Sequence, residues 1–135
     1  MATMGVAQRN IELTRKGYAA FNSGDIEAVM NLLADDVVWH VFGSGPLAGD
    51  HKGKQAVMEL FGKYLQLLDT QATDVHDILA NDQHTVVMAT LALTRKGESI
   101  EHKITDVIHP DSEGRVQEFW RFFDDQGKSD AFISD

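Results

Sequence analysis

Residues 85–109 read TVVMATLALTRKGESIEHKITDVIH. Two runs rich in β-branched residues, Thr85 to Thr94 and Ser99 to His109, flank Lys96-Gly97, a turn dipeptide. This predicts a long antiparallel hairpin. Working outward, Thr73 to Leu79 precedes it across Asn81-Asp82, and Arg115 to Phe123 follows it across Pro110-to-Gly114. Four strands with short links imply antiparallel pairing. Upstream the period changes. Val57, Leu60, Phe61, Tyr64, Leu65 and Leu68 fall at helical spacing, the clearest helix in the chain. Leu13, Gly17, Ala20 and Phe21 share a face of a first helix, with Tyr18 at its edge; it stops at Asn22-Ser23-Gly24. Asp25 is placed to cap a second helix striped by Ile26, Val29, Met30 and Leu33, and Asp35-Asp36 breaks that stripe. Val37 to Phe42 reads as a short strand and Gly43 to Asp50 as a glycine-rich loop. The layout is α+β: three helices from the N-terminal half gathered on one face of a curved antiparallel sheet. A chain of 135 residues fits one domain, 1–135.

The charge is lopsided, with 12 Lys and Arg against 21 Asp and Glu, a net of −9. Such a surface repels phosphate backbones, which argues against nucleic acid as a partner. Its densest basic stretch, His51-Lys52-Gly53-Lys54, is short and lacks interleaved aromatics. With no cysteine there is no disulfide, thiolate metal site or Cys nucleophile. That composition fits the cytoplasm. Met1 to Asn10 has no signal-peptide core, and no apolar run is long enough for a membrane span. The remaining histidines and nearby acids match no metal-ligand spacing. Neither a metal nor another cofactor is expected.

Strand alternation sorts the polar residues. Ile100, His102, Ile104, Asp106 and Ile108 share a face, and its isoleucines mark that face as inward. A carboxyl buried there tends to hold its proton. On the last strand Arg121 lies between Phe119 and Phe123. On the first, His40 lies between Val38 and Phe42. Phe21, Phe61 and Leu91 supply further apolar wall. Three strands thus each bring one polar group, His40, Asp106 or Arg121, into an apolar setting, as a small-molecule pocket requires. Each has a plainer reading. His40 could be an ordinary core or edge histidine, and Asp106 with Arg121 a structural ion pair. Trp39 and Trp120 fall on the opposite faces and read first as core or dimer-interface aromatics and second as ligand stackers.

The run Tyr18 to Ala28, Leu33 to Trp39, Gly43-Ser44-Gly45-Pro46-Leu47-Ala48-Gly49 and Gly114-Arg115-Val116 with the aromatic last strand resemble nuclear transport factor 2-like proteins. Within that superfamily the chain is most similar to the SnoaL-like polyketide cyclase branch, related to ketosteroid isomerase and limonene epoxide hydrolase. The resemblance implies a cone-shaped sheet, the cystatin-like α+β barrel, with a pocket at its open end and a homodimer through the sheet's outer face. It implies that His40 takes the place of the isomerase's aspartate base and Asp106 that of its protonated oxyanion-hole aspartate. The isomerase's tyrosine position is Gly17, with Tyr18 one residue away on a different azimuth. The hydrolase's Arg-x-Asp pair reads Ile104-Thr105-Asp106, with Arg121 in place of its second aspartate.

Two functions follow. One is a cofactor-free acid/base enzyme, isomerase- or cyclase-like, acting on a small apolar carbonyl compound. His40 would shuttle the proton, and Asp106, protonated or paired to Arg121, would stabilise the enolate oxygen. The other is a non-catalytic ligand-binding or interaction domain of the same fold. Three roles stay open for Lys128 to Asp135: capping the pocket, crossing to a partner subunit, or disorder.

Overall fold

The computed structural model describes residues 5–135. The sequence reading of residues 1–4 lies outside them. Helix α1 (Val6–Asn22) ends where Gly24 turns the chain with φ 79°, a conformation that costs glycine little. Asp25 then caps α2 (Ile26–Asn31), accepting from the Ala28 amide at 3.1 Å. Strand β1 (Leu33–Val41) absorbs Asp35 and Asp36, and β2 (Gly49–Lys52) forms in what the sequence suggests is loop. After α3 (Lys54–Leu67) come β3 (Thr70–Ala80), β4 (Thr85–Arg95), β5 (Glu98–Pro110) and β6 (Val116–Phe123). A fourth helix, α4 (Gln126–Phe132), closes the order.

The strands form one curved sheet in the order β2-β1-β6-β5-β4-β3. The hairpin of residues 85–109 pairs Thr85 with Ile108 through to Arg95 with Glu98, as the turn at Lys96-Gly97 dictates. The expected α+β architecture is present, with three corrections. The sheet is mixed, because β1 runs parallel to β6. Short links settle pairing only between successive strands, and these two are separated by most of the chain. The sheet also stays open: β2 and β3 are edges, so no barrel closes. Among the described residues there are four helices, since Asp125 caps α4 through the Lys128 amide and nucleates a turn in a polar tail. Register shifts in β1, β3 and β5 mark bulges that bend the sheet around the helices. None of the described helices is long and apolar enough to cross a membrane.

Two apolar clusters fill the concave side. One joins Val57, Leu60 and Phe61 of α3 to Val29, Met30, Leu33 and Val37. The other runs along the sheet through Val87, Ala89, Leu91, Ile104, Ile108 and Phe119. Trp39 and Tyr64 touch both. Leu60 is fully enclosed, so truncation leaves a cavity that the packed α3–β1 seam cannot refill. Leu60→Ala is expected to cost about 2–5 kcal/mol, read as a lower urea midpoint at unchanged m-value.

Candidate active site

The inward faces of β5 and β6 meet in register. Asp106 stands directly opposite Arg121 and Val87. Antiparallel neighbours on one face lie about 5 Å apart at Cβ, close enough for a guanidinium to reach a carboxylate. Arg121 Nε donates to Asp106 Oδ1 at 2.7 Å and Nη2 to Oδ2 at 2.8 Å. This two-point grip is the strong form of an Arg–carboxylate pair. Tyr18 on α1 adds a third bond, its hydroxyl donating to Oδ2 of Asp106. Asp106 is 0% exposed, so the whole arrangement is sealed on the carboxylate side. Burial, and then the charge of Asp106, hold the Tyr18 phenol well above its ordinary pKa of 10.0, so it remains a donor. Burial alone would lower Arg121, but the adjacent carboxylate outweighs it and the guanidinium stays charged.

A cavity of about 150 Å³ opens beside this triad. Arg121 and Tyr18 border it, while Asp106 lies behind them. The remaining Arg121 donors, both Nη1 protons and one on Nη2, have no protein partner among the described residues. Phe119 lies under the guanidinium, with Cζ 5.6 Å from the ring centre, and Trp39 stacks on Phe119 at 3.7 Å. Phe61 meets Trp39 and Phe21 edge-on, completing an aromatic wall. Tyr64 also borders the cavity, and burial raises its phenol pKa. Helix α4 and the residue that ends it add Gln126, Ser129, Asp130 and Ile133 to the cavity lining, so the tail is ordered against the cavity. Arg95 holds that end down, donating to the carbonyls of Phe132 and Ser134 and to the side chain of Asp135.

Of the residues singled out in the sequence, the fold brings Asp106 and Arg121 together; His40 also borders the cavity, but its ring is turned away from that pair. Parallel pairing aligns Trp39 with Phe119 and turns Trp39 inward. His40 therefore faces the outer surface, stacked on Trp120 at 4.8 Å. Both its nitrogens are engaged, Nδ1 by Asp50 at 2.7 Å and Nε2 by Glu118 at 2.9 Å. The inward facing expected of Val38 and of the His40 ring is thus corrected. Val38 lies opposite in parity to fully buried Val37, and Phe42 stands at the cavity rim packed on Phe122. Phe21, Phe42, Phe61, Leu91, Phe119 and Phe123 do line the cavity. Ile104 and His102 are inward but sealed from it: Ile104 belongs to the core, and His102 Nδ1 lies 3.0 Å from Asp124. Among the described residues no group of three or more His, Cys, Asp or Glu could hold a metal ion.

Tyr18 is the site residue that sequence reasoning missed. The cavity face of α1 carries Asn10, Leu13, Thr14, Gly17, Tyr18 and Phe21, spaced i, i+3, i+4, i+7, i+8 and i+11. Counting only apolar residues shifts the apparent centre of that face and leaves Tyr18 at its margin. Including Asn10 and Thr14 would have placed it in the middle.

Charge on His40 has a measurable consequence. Burial lowers its pKa, but the bonds to Glu118 and Asp50 outweigh that and raise it above 6.5. A raised folded value means that the stabilisation is fully present below about pH 6.5 and vanishes as pH rises through the folded value. The gap in urea midpoint between wild type and His40→Gln is therefore expected to narrow with rising pH. Asp106 gives a second test. Arg121→Met strands a buried carboxylate and should cost about 3–5 kcal/mol, whereas Arg121→Met with Asp106→Leu should recover much of that loss. Denaturant unfolding of wild type and the two variants decides it.

A model of the SnoaL-like domain matches residues 14–128. The uncharacterized protein Rv0034 of Mycobacterium tuberculosis H37Rv is 26% identical over 91% of this chain and 95% of its own. The solved structure of Bal32a, from a soil-derived mobile gene cassette, is 30% identical, covers 96% of this chain and 99% of its own, and superposes with a TM-score of 0.90. An NTF2-like protein of unknown function from Burkholderia pseudomallei K96243 is 25% identical, with coverage of 98% and 100% and a TM-score of 0.86. With the fold, the family model and these relatives in agreement, the chain belongs to the SnoaL-like family of the NTF2-like superfamily.

Proposed function

We propose that the protein binds a small, mostly apolar carbonyl compound and catalyses proton transfer on it, as an isomerase- or cyclase-like enzyme without a cofactor. One observation carries this reading. A neutralised but donor-rich guanidinium, Arg121, stands at the wall of an aromatic cavity with hydrogens to spare. The ligand oxygen would take those hydrogens, and negative charge developing on it would meet a pre-oriented donor. Asp106 is the base behind the wall and Tyr18 the relay. A proton leaving the carbon next to the carbonyl passes to the Tyr18 oxygen as the Tyr18 proton passes to Asp106 Oδ2. The enolate then carries the charge that Asp106 gives up, so the site's net charge is unchanged.

Fold neighbours are in keeping with a small organic ligand. TerC, 21% identical with a TM-score of 0.83, was co-crystallized with polyporic acid. An LEH-like epoxide hydrolase of M. tuberculosis, 19% identical, has a TM-score of 0.75. A second reading, binding without turnover, is favoured by the engagement of both Asp106 oxygens.

Deuterium exchange at C1 of 2-tetralone in D2O, followed by NMR, separates the two. Catalysis predicts exchange faster than buffer, lowered on the order of 10²–10³-fold in Arg121→Lys, which keeps the charge but loses the planar fork. Tyr18→Phe should slow it comparably while leaving the Arg121–Asp106 pair. Saturable binding of tetralone with no faster exchange would leave the binding reading standing. The proposal extends to a second copy of the chain, docked through the outer sheet face where Leu79, Met88 and Phe122 are exposed. Sedimentation at micromolar concentration should give about twice the monomer mass, and the monomer mass would refute it.

A further inference from the structure

Beyond the triad, two buried polar side chains that border the cavity each carry one unpartnered atom among the described residues. Asn10 is 2% exposed and Thr85 is 1% exposed. Among the described residues neither Asn10 Nδ2 nor Thr85 Oγ1 has a hydrogen-bond partner. A buried donor left unsatisfied is costly, and folded proteins rarely tolerate one without a use for it.

The surroundings fix how Asn10 is turned. Arg9 donates to Asn10 Oδ1 from Nε at 3.3 Å and from Nη2 at 3.2 Å, while Arg9 Nη1 holds the Ser112 carbonyl at 3.3 Å. The amide oxygen is thereby committed, and the amide nitrogen is the end left over. Gly114, with φ 85°, lets the β5–β6 turn close against this point. A Cβ there would lie 2.7 Å from Leu13 Cδ1 and 3.0 Å from Asn10 Oδ1. Thr85 begins the inward face of β4, opposite Ile108.

Both residues lie to the same side of the triad. Asn10 is two helical turns from Tyr18, roughly 12 Å along α1. Thr85 is two residues from Val87, the partner of Asp106, roughly 7 Å along the sheet. Both displacements run toward the β5–β6 turn. Asn10 and Thr85 therefore put polar groups at the turn end of the cavity, with Leu13, Leu33, Ile108 and Val116 as apolar wall on the way to Arg121.

We infer that Asn10 and Thr85 form a second polar subsite for an oxygen at the far end of the ligand. The substrate class is then narrower than an apolar carbonyl compound. It is an elongated apolar body with an oxygen function at each end, one at Arg121 and one taking the Asn10 N–H and the Thr85 hydroxyl. This rests on the pocket reading above but not on catalysis.

Binding of three naphthols, followed by their fluorescence, tests it: 2-naphthol, 2,6-dihydroxynaphthalene and 6-methyl-2-naphthol. The last replaces the second hydroxyl by a group of similar size. Wild type should bind the diol about 3–10-fold more tightly than the methyl compound, the range of one or two net hydrogen bonds. Thr85→Val and Asn10→Leu should each shrink that preference while leaving 2-naphthol affinity within about twofold. Thr85→Val should also raise the Tm of the ligand-free protein, since it removes an unsatisfied hydroxyl; a purely structural threonine would lower it. Equal binding of diol and methyl compound by wild type would overturn the second subsite and leave the pocket intact. Failure of all three probes to bind would overturn the pocket reading and this inference with it.

Discussion

The buried contact between Arg121 and Asp106 is the constraint around which the concave side is arranged. A carboxylate with no exposed surface cannot stay charged in an apolar core unless something answers it. The answer here comes from the facing strand at 2.7 and 2.8 Å, with a tyrosine from the opposing helix as the third donor. That requirement sets the register of β5 on β6 and the rotation of α1 at once. It also leaves the guanidinium with spare donors on the cavity side. The element that makes the core tolerable is the one that makes the cavity chemically interesting.

How much of this was legible depended on the kind of pattern each residue sat in. On β5, three isoleucines at period 2 leave no doubt which face is inward, so Asp106 could be placed without coordinates. On β6, Phe119 and Phe123 do the same for Arg121. The short strand at Val37 to Phe42 is different, because both of its faces are apolar. Alternation cannot choose between them, and a one-residue slip in parity exchanges the two faces completely. The choice is made by Trp39 stacking on Phe119 across a parallel pair, a contact between residues 80 positions apart. His40 followed that choice to the outside.

The three expected helices are present, but the polar residues on the buried face of α1 escape the pattern for another reason. Polar residues on a buried helix face carry no hydrophobic signal, so Asn10, Thr14 and Tyr18 were invisible to a stripe drawn through leucines and alanines. They are nonetheless the residues the fold turns toward the sheet. Helix α4 was hidden similarly: a short, polar segment has little helical signal of its own, and its position comes from contacts distant in sequence. Asp130 accepts from the Ser44 amide at 2.8 Å, and Arg95 pins the final carbonyls. Where tertiary contacts rather than local propensity decide an element, sequence pattern has nothing to read.

The net charge of −9 takes on a different meaning beside this site. At long range it disfavours anionic ligands, since the field of the whole surface acts before any contact is made. Inside, Arg121 is already balanced by Asp106, so the site holds no excess positive charge with which to overcome that barrier. A ligand that arrives as an anion is opposed outside and not compensated within. A neutral one meets no barrier, desolvates cheaply against Trp39, Phe119 and Phe61, and finds donors oriented toward its oxygen. In the proposed reaction, charge appears on that oxygen as Asp106 takes up the proton. Arg121 thereby exchanges one negative partner for another, with no net charge created in the cavity.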